Sequence, residues 1–155
     1  MKTDIGLKDN ARQAVADTLG KLLADTYVLT VKTQNFHWNV TGPHFPYLHT
    51  LFQQQYEELS AATDEIAERI RALGHHAPGT MADFLKLASV KEPAAGLDAD
   101  AMVGALLADH EAILREARVA QRQIQEAGDE ESSDLVIGRL AAHGKAAWML
   151  RVQVA

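Results

Sequence analysis

The chain has 155 residues, 47% of them hydrophobic, and a formal net charge of −6. That length suits one domain with a real core, and the acidic balance disfavours nucleic acid as a main partner while suiting a protein that gathers cations. There is no cysteine, so disulfides and thiolate metal sites are excluded and any metal must be held by nitrogen and oxygen.

Helix formers dominate, against four prolines and ten glycines. Between Asn10 and Val40 the positions Val15, Leu19, Leu22, Leu29, Phe36 and Val40, with Thr26 and Thr33 in the gaps, step by three and four and predict one face of a long helix. Asn10 and Gln13 read as a capping pair at its start, and Thr41-Gly42-Pro43 as its stop. Leu48, Phe52, Tyr56, Leu59, Thr63, Ile66, Ile70 and Leu73 predict a second helix that halts at Gly74, with Pro78-Gly79 beyond. Thr80 to Ala88 holds a short helix capped by Thr80, with Asp83 at the third position. A third long helix is expected from Asp98 or Asp100 to Ala127, ended by Gly128, and a fourth from Ser132 or Ser133 toward the C-terminus.

Four long helices joined by a short turn, a long connection and another short turn predict an all-α four-helix bundle with one crossover carrying a short extra helix. We read residues 1–155 as one domain with a flexible leading segment, residues 1–9. The N-terminus lacks an apolar leader core and no stretch reaches the length of a membrane span, which predicts a soluble, cytoplasmic protein.

Asp64 and Glu68 stand four apart on the second helix, so both carboxylates leave one face about 6 Å apart along the axis. Acidic pairs at this spacing are commonplace on solvated surfaces. Here, however, His49, Gln53, Glu57, Ser60, Asp64 and Glu68 share an arc of about 100° beside the apolar stripe. His49 lies fifteen residues before Asp64, roughly 22 Å along a helix, so the two cannot bind one ion within one chain. Two copies of the second helix packed antiparallel about a two-fold axis would bring the His49 end of one to the acidic end of the other. His37, near the end of the first helix, would join His49 through the short turn. A set of two histidines and two carboxylates suits iron or zinc better than calcium or magnesium.

The run Phe36-His37-Trp38-Asn39-Val40-Thr41-Gly42-Pro43-His44-Phe45, then Leu48-His49, then Asp64-Glu65-Ile66-Ala67-Glu68-Arg69, resembles the signature of the Dps class of mini-ferritins, and the resemblance reaches Ala147-Trp148-Met149-Leu150 in the last helix. It implies a ferritin-like bundle assembled into a hollow dodecamer. Ferrous iron would be oxidised at sites shared across a two-fold interface, by hydrogen peroxide in preference or by oxygen, and the ferric product stored inside, protecting against oxidative damage. By that resemblance His37, His49, Asp64 and Glu68 are the ferroxidase ligands, with Trp38 beside them as a shield or radical trap. An aromatic there also reads as core or interface filler. The family usually places an Asp or Glu one turn after the second histidine, where this chain has Gln53, so a weak second iron position is expected. Acidic residues near the last turn line iron-entry pores in the family, which carries over to Asp134 and to Asp129 or Glu130. The competing reading makes them helix-start residues. Gly144 stands where the family often has Glu.

His75-His76 read as a solvated helix end, and His44, His110 and His143 as single, hydrogen-bonded structural histidines. Before Arg12 the chain offers only Lys2 and Lys8, and it ends Arg151-Val152-Gln153-Val154-Ala155, so no strong DNA binding is expected. Three functions remain open at this point: an iron-oxidising storage enzyme, a DNA-condensing structural protein, and a shell whose sites hold zinc without turnover.

Overall fold

The computed structural model describes residues 3–153, and all of its regular structure is helical. Five helices follow in order: α1 Asp9–Asn39, α2 Phe45–Ala72, α3 Met81–Leu87, α4 Ala99–Glu126 and α5 Glu130–Arg151. The short connections make α1–α2 and α4–α5 antiparallel hairpins. The longer link between them carries α3, which packs on α1, while α1 also packs on α4 and α2 on α5. Among the described residues no helix is long and apolar enough to cross a membrane.

The periodic positions do what their spacing predicts. Leu19, Leu29, Phe36, Phe52, Leu59, Ile66 and Ile70 are almost wholly buried, and Leu106, Ile113, Ile124, Val136 and Leu150 meet them from α4 and α5. Thr26 and Thr33 sit at core positions of α1 because each hydroxyl donates to the carbonyl four residues back, Leu22 O and Leu29 O, at 2.7 Å. A buried hydroxyl is thereby satisfied without a partner from another helix.

Helix ends follow local chemistry, with two departures from expectation. Thr80 and Asp98 cap α3 and α4 by accepting from Asp83 N and Ala101 N. The Asn10–Gln13 capping pair does not form: α1 starts at Asp9, Asn10 Oδ1 accepts only from its neighbour Ala11 N, and Gln13 turns to Asp17. The start of α5 lies earlier than expected, at Glu130 rather than near Ser132 or Ser133, with Asp129 at the capping position as its helix-start reading had it. Gly74 and Gly128 end α2 and α4 at φ of +88° and +81°, a conformation that costs glycine least. At Gly74 a side chain would also collide with Thr3 and Arg12. Arg12 Nη1 donates to Leu73 O at 2.6 Å, so the start of α1 closes the end of α2.

Polar groups fasten the crossover. Asp25, buried in α1, accepts from Ser89 N and Val90 N at 2.7 and 2.8 Å, and the Tyr27 and Phe84 rings stack with centroids 4.3 Å apart. Burial pushes the Asp25 carboxyl up, against the lowering effect of those two backbone donors. Lys32 Nζ reaches Asp109 at 2.6 Å and joins α1 to α4. Asp25→Ala strands two backbone donors and is expected to cost about 2–4 kcal/mol of stability, read as a lowered guanidinium midpoint. An unchanged midpoint would mean that ring stacking alone holds the crossover.

Candidate metal centre

The end of α1 and the start of α2 bring His37 and His49 together. Their rings stack with centroids 3.7 Å apart. Each ring's Nδ1 lies 2.7 Å from the other residue's backbone carbonyl, His37 Nδ1 to His49 O and His49 Nδ1 to His37 O. A carbonyl only accepts, so both Nδ1 atoms carry the proton, and a neutral ring then keeps its lone pair on Nε2. Second-partner hydrogen bonds of this kind set tautomer and orientation in histidines that bind metals. Phe45 stacks on His49 and Tyr56 meets His37 edge-on, with centroids at 5.0 and 5.3 Å. His37 is buried and His49 half-buried.

Asp64 and Glu68 lie further along α2, both exposed. Their stretch of helix is held by the next residue, Arg69. Its Nε donates to Ser132 Oγ at 2.7 Å, Nη2 to Asp129 Oδ1 at 2.8 Å, and Nη1 pairs with Glu131 at 2.6 Å. Asp129 also accepts from Ser132 N at the head of α5. Burial works to raise the Asp129 carboxyl, but the hydrogen bonds from Ser132 and Arg69 outweigh it and hold the group below the usual range. Asp129 is therefore buried and committed to capping and to Arg69, whereas Glu130 and Asp134 are exposed on α5. Gln53 is exposed, and its amide donates to Glu57 at 2.8 Å.

Histidines and acids do not converge within one chain: among the described residues, no three of His, Asp or Glu gather closely enough to hold a metal. Around the histidine pair the surface is apolar and uncovered, with Trp38 66%, Phe45 40% and Tyr47 49% exposed.

The remaining histidines need one correction. His110 and His143 are not single: they form a buried pair across α4 and α5, with Nδ1 atoms 2.8 Å apart. They are 33 residues apart, so no local pattern shows it. Burial, reinforced by Arg139, lowers His110 to about 4, and burial with His110 and Arg139 lowers His143 to about 2. His44 is exposed ahead of α2, and His75 and His76 follow its end, half-buried and exposed. A Cβ at Gly144 would meet nothing within 4 Å, and the structure does not explain glycine there. Lys2 and the terminal Val154-Ala155 lie outside the described residues.

The lowered histidines fix a sign for stability. The unfolded chain takes up protons near pH 6.5 and the folded pair does not, so stability is fully present above that value and falls as pH drops toward about 4. Each histidine contributes a slope of about 1.4 kcal/mol per pH unit in that window. Denaturant unfolding of the protein between pH 7.5 and 5 is expected to show this loss, and the His110→Gln/His143→Gln protein to lack it. Parallel pH profiles for the two would remove the pair as its source.

Comparison with known proteins agrees with this fold. Residues 16–155 match the family model described as ferritin-like domain. The DNA protection during starvation protein 2 of Bacillus anthracis is 42% identical over 137 residues, covering 88% of this chain and 94% of that protein. A Dps protein from Bacillus brevis superimposes with a TM-score of 0.93 at 37% identity, covering 96% of this chain and all of that one, 100%. The Dps protein of Vibrio cholerae O1, described as a member of a broad superfamily of ferritin-like diiron-carboxylate proteins, does so with a TM-score of 0.94 at 31% identity, covering 100% and 98%. A bundle of this topology with these relatives places the chain in the ferritin-like family, within its Dps branch.

Proposed function

We propose that the chain is an iron-oxidising, iron-storing mini-ferritin whose reaction centres are completed by a second copy of itself. The observation that carries this reading is the reciprocal lock between His37 and His49, which leaves an Nε2 lone pair on each ring with no third ligand beside them among the described residues of the chain. Asp64 and Glu68 lie roughly 22 and 28 Å from His49 along a straight helix, too far to reach the same ion. An antiparallel pairing of α2 with its two-fold copy supplies the acids of one chain to the histidines of the other. It also covers Trp38, Phe45 and Tyr47, whose exposure is costly in an isolated chain.

In this site ferrous iron is the substrate. Asp64 and Glu68 bind it as hard anionic ligands, and His37 and His49 of the neighbouring chain complete the set. Two ferrous ions give up one electron each. With hydrogen peroxide as oxidant, the O–O bond breaks, two protons are taken up and two waters form, so no hydroxyl radical is released. Dioxygen is the alternative acceptor, and we assign to Trp38, next to His37 in the chain, the interception of a stray oxidising equivalent. Glu130 and Asp134, exposed at the head of α5, are the residues we assign to iron entry. Asp129 holds that turn in place through Arg69. The closed shell of twelve chains, the protection against oxidative damage and the cytoplasmic setting belong to the same reading. Strong DNA binding does not, given the charge of −6.

Two experiments test it. Anaerobic ferrous titration followed by peroxide, with ferric absorbance and iron retention after size-exclusion chromatography, is expected to show oxidation and retained iron. Binding without oxidation would instead favour a shell occupied by zinc, the reading that Gln53 supports. Shared sites have a sharper test. A His37→Ala/His49→Ala protein and an Asp64→Ala/Glu68→Ala protein should each be inactive. Refolded together in equal amounts they should recover about a quarter of the activity, because half the two-fold pairs are mixed and each mixed pair holds one intact site. No recovery would rule out ligands from two chains.

Gln53 gives a third expectation. Its amide is a poorer iron ligand than a carboxylate and is turned toward Glu57. Gln53→Glu should tighten the second iron and speed oxidation, offset in part by the new like charge beside Glu57. Superimposable stopped-flow traces for the two proteins would sink this.

A further inference from the structure

A second polar site lies away from the histidine and carboxylate ligands, between α2, α4 and α5. It is a cavity of about 260 Å³ whose polar wall is Gln54, Gln55, Glu58, His110 and Lys145. Gln55 and His110 are only 7% and 2% exposed. Both ends of the Gln55 amide, and His110 Nε2, are buried without any hydrogen-bond partner from the protein. Leaving such groups unpaired costs about 1–3 kcal/mol each, so a wall that carries three of them calls for a polar partner inside the cavity.

The chain of contacts behind His110 decides what that guest is. Arg139 Nη2 faces His143 Nε2 at 3.4 Å. A guanidinium only donates, so His143 keeps its lone pair on Nε2 and its proton on Nδ1. That proton is donated across 2.8 Å to His110 Nδ1, which leaves the His110 proton on Nε2, directed at the cavity. Burial beside Arg139 keeps both rings neutral. The buried wall thus offers the His110 N–H and the two N–H bonds of the Gln55 amide, against a single unused acceptor, Gln55 Oε1.

Charge points the same way. Both carboxylate oxygens of Glu58 are taken by Arg139, so the one negative residue of the wall is already neutralised. Among the described residues Lys145, exposed at the rim, forms no ion pair, and it leaves the site with one positive charge. A transition metal would meet an N–H where it needs a lone pair, next to a neutralised carboxylate and two cations.

We propose that this cavity binds a small monovalent anion of the halide class, held by His110 Nε2–H, the Gln55 amide and Lys145. The site is independent of iron oxidation. It would bias the bundle toward its packed state whenever the anion is present, because a ligand of the folded form stabilises it by mass action.

Crystals of the intact protein soaked in sodium bromide provide the first test. An anomalous peak is expected between His110 Nε2 and the Gln55 amide, and it should vanish in Gln55→Leu. Water alone at that position, or a peak there from a zinc or cadmium soak, would overturn the proposal. The second test keeps the fold intact. In sedimented protein with 15N-labelled histidine, solid-state NMR should find His110 protonated at Nε2 and His143 at Nδ1. Bromide should shift the His110 Nε2 resonance, and Lys145→Ala should weaken that titration about two- to fivefold, the range set by one partly exposed ionic contact. A His110 Nε2 without a proton, or a resonance indifferent to bromide, would equally refute it.

Discussion

A straight α-helix rises about 1.5 Å per residue and does not fold back on itself, and the candidate centre depends on that rigidity. His49 and Asp64 share α2 and nearly share a face, yet the helix keeps them apart. The histidines are drawn together by a different constraint, the five-residue turn between α1 and α2, which lets His37 and His49 exchange hydrogen bonds with each other's backbone. The result is a locked pair of histidines that the proposed function reads as half of a metal site. In the proposed reading assembly is therefore part of the chemistry, because among the described residues of one chain no carboxylate joins those two histidines.

Around this half-site the molecule spends its buried polar contacts on holding helices in register. Arg69 fastens the acidic end of α2 to the head of α5, Arg12 closes the end of α2, Asp25 holds the crossover, and Lys32 joins α1 to α4. Each ties elements that are distant in the chain, so each restrains sliding that apolar contacts alone tolerate. Asp129 shows how one acid can be claimed by such a restraint. Its carboxylate caps a helix and pairs with Arg69, whereas its neighbours Glu130, Glu131 and Asp134 are exposed.

The ferritin-like architecture commonly houses metal inside the bundle, on acids and histidines that project from facing helices. In this chain the corresponding interior carries His110, His143, Gln55 and Arg139, a set dominated by donors. Gln53 likewise puts an amide on the outer arc of α2 where a carboxylate would bind iron more tightly. In the proposed reading, the donors of the bundle interior leave iron to the surface shared between copies, and Gln53 weakens one position there.

Sequence alone determined the helices and their stops, since three- and four-residue steps, glycine stops and side-chain caps are local properties of the backbone. It also showed that His49 and Asp64 cannot meet in one chain, because helix rise needs no tertiary information. Where local signals competed it misjudged: Asn10 lost the first cap, and α5 begins two or three residues early, behind Asp129, which also holds a partner sixty residues away. The tertiary structure decided the mutual lock of His37 and His49, the clamp of Arg69, the anchoring by Asp25 and the pairing of His110 with His143. These contacts join residues on different helices, and no spacing along one helix encodes which face of another it will meet.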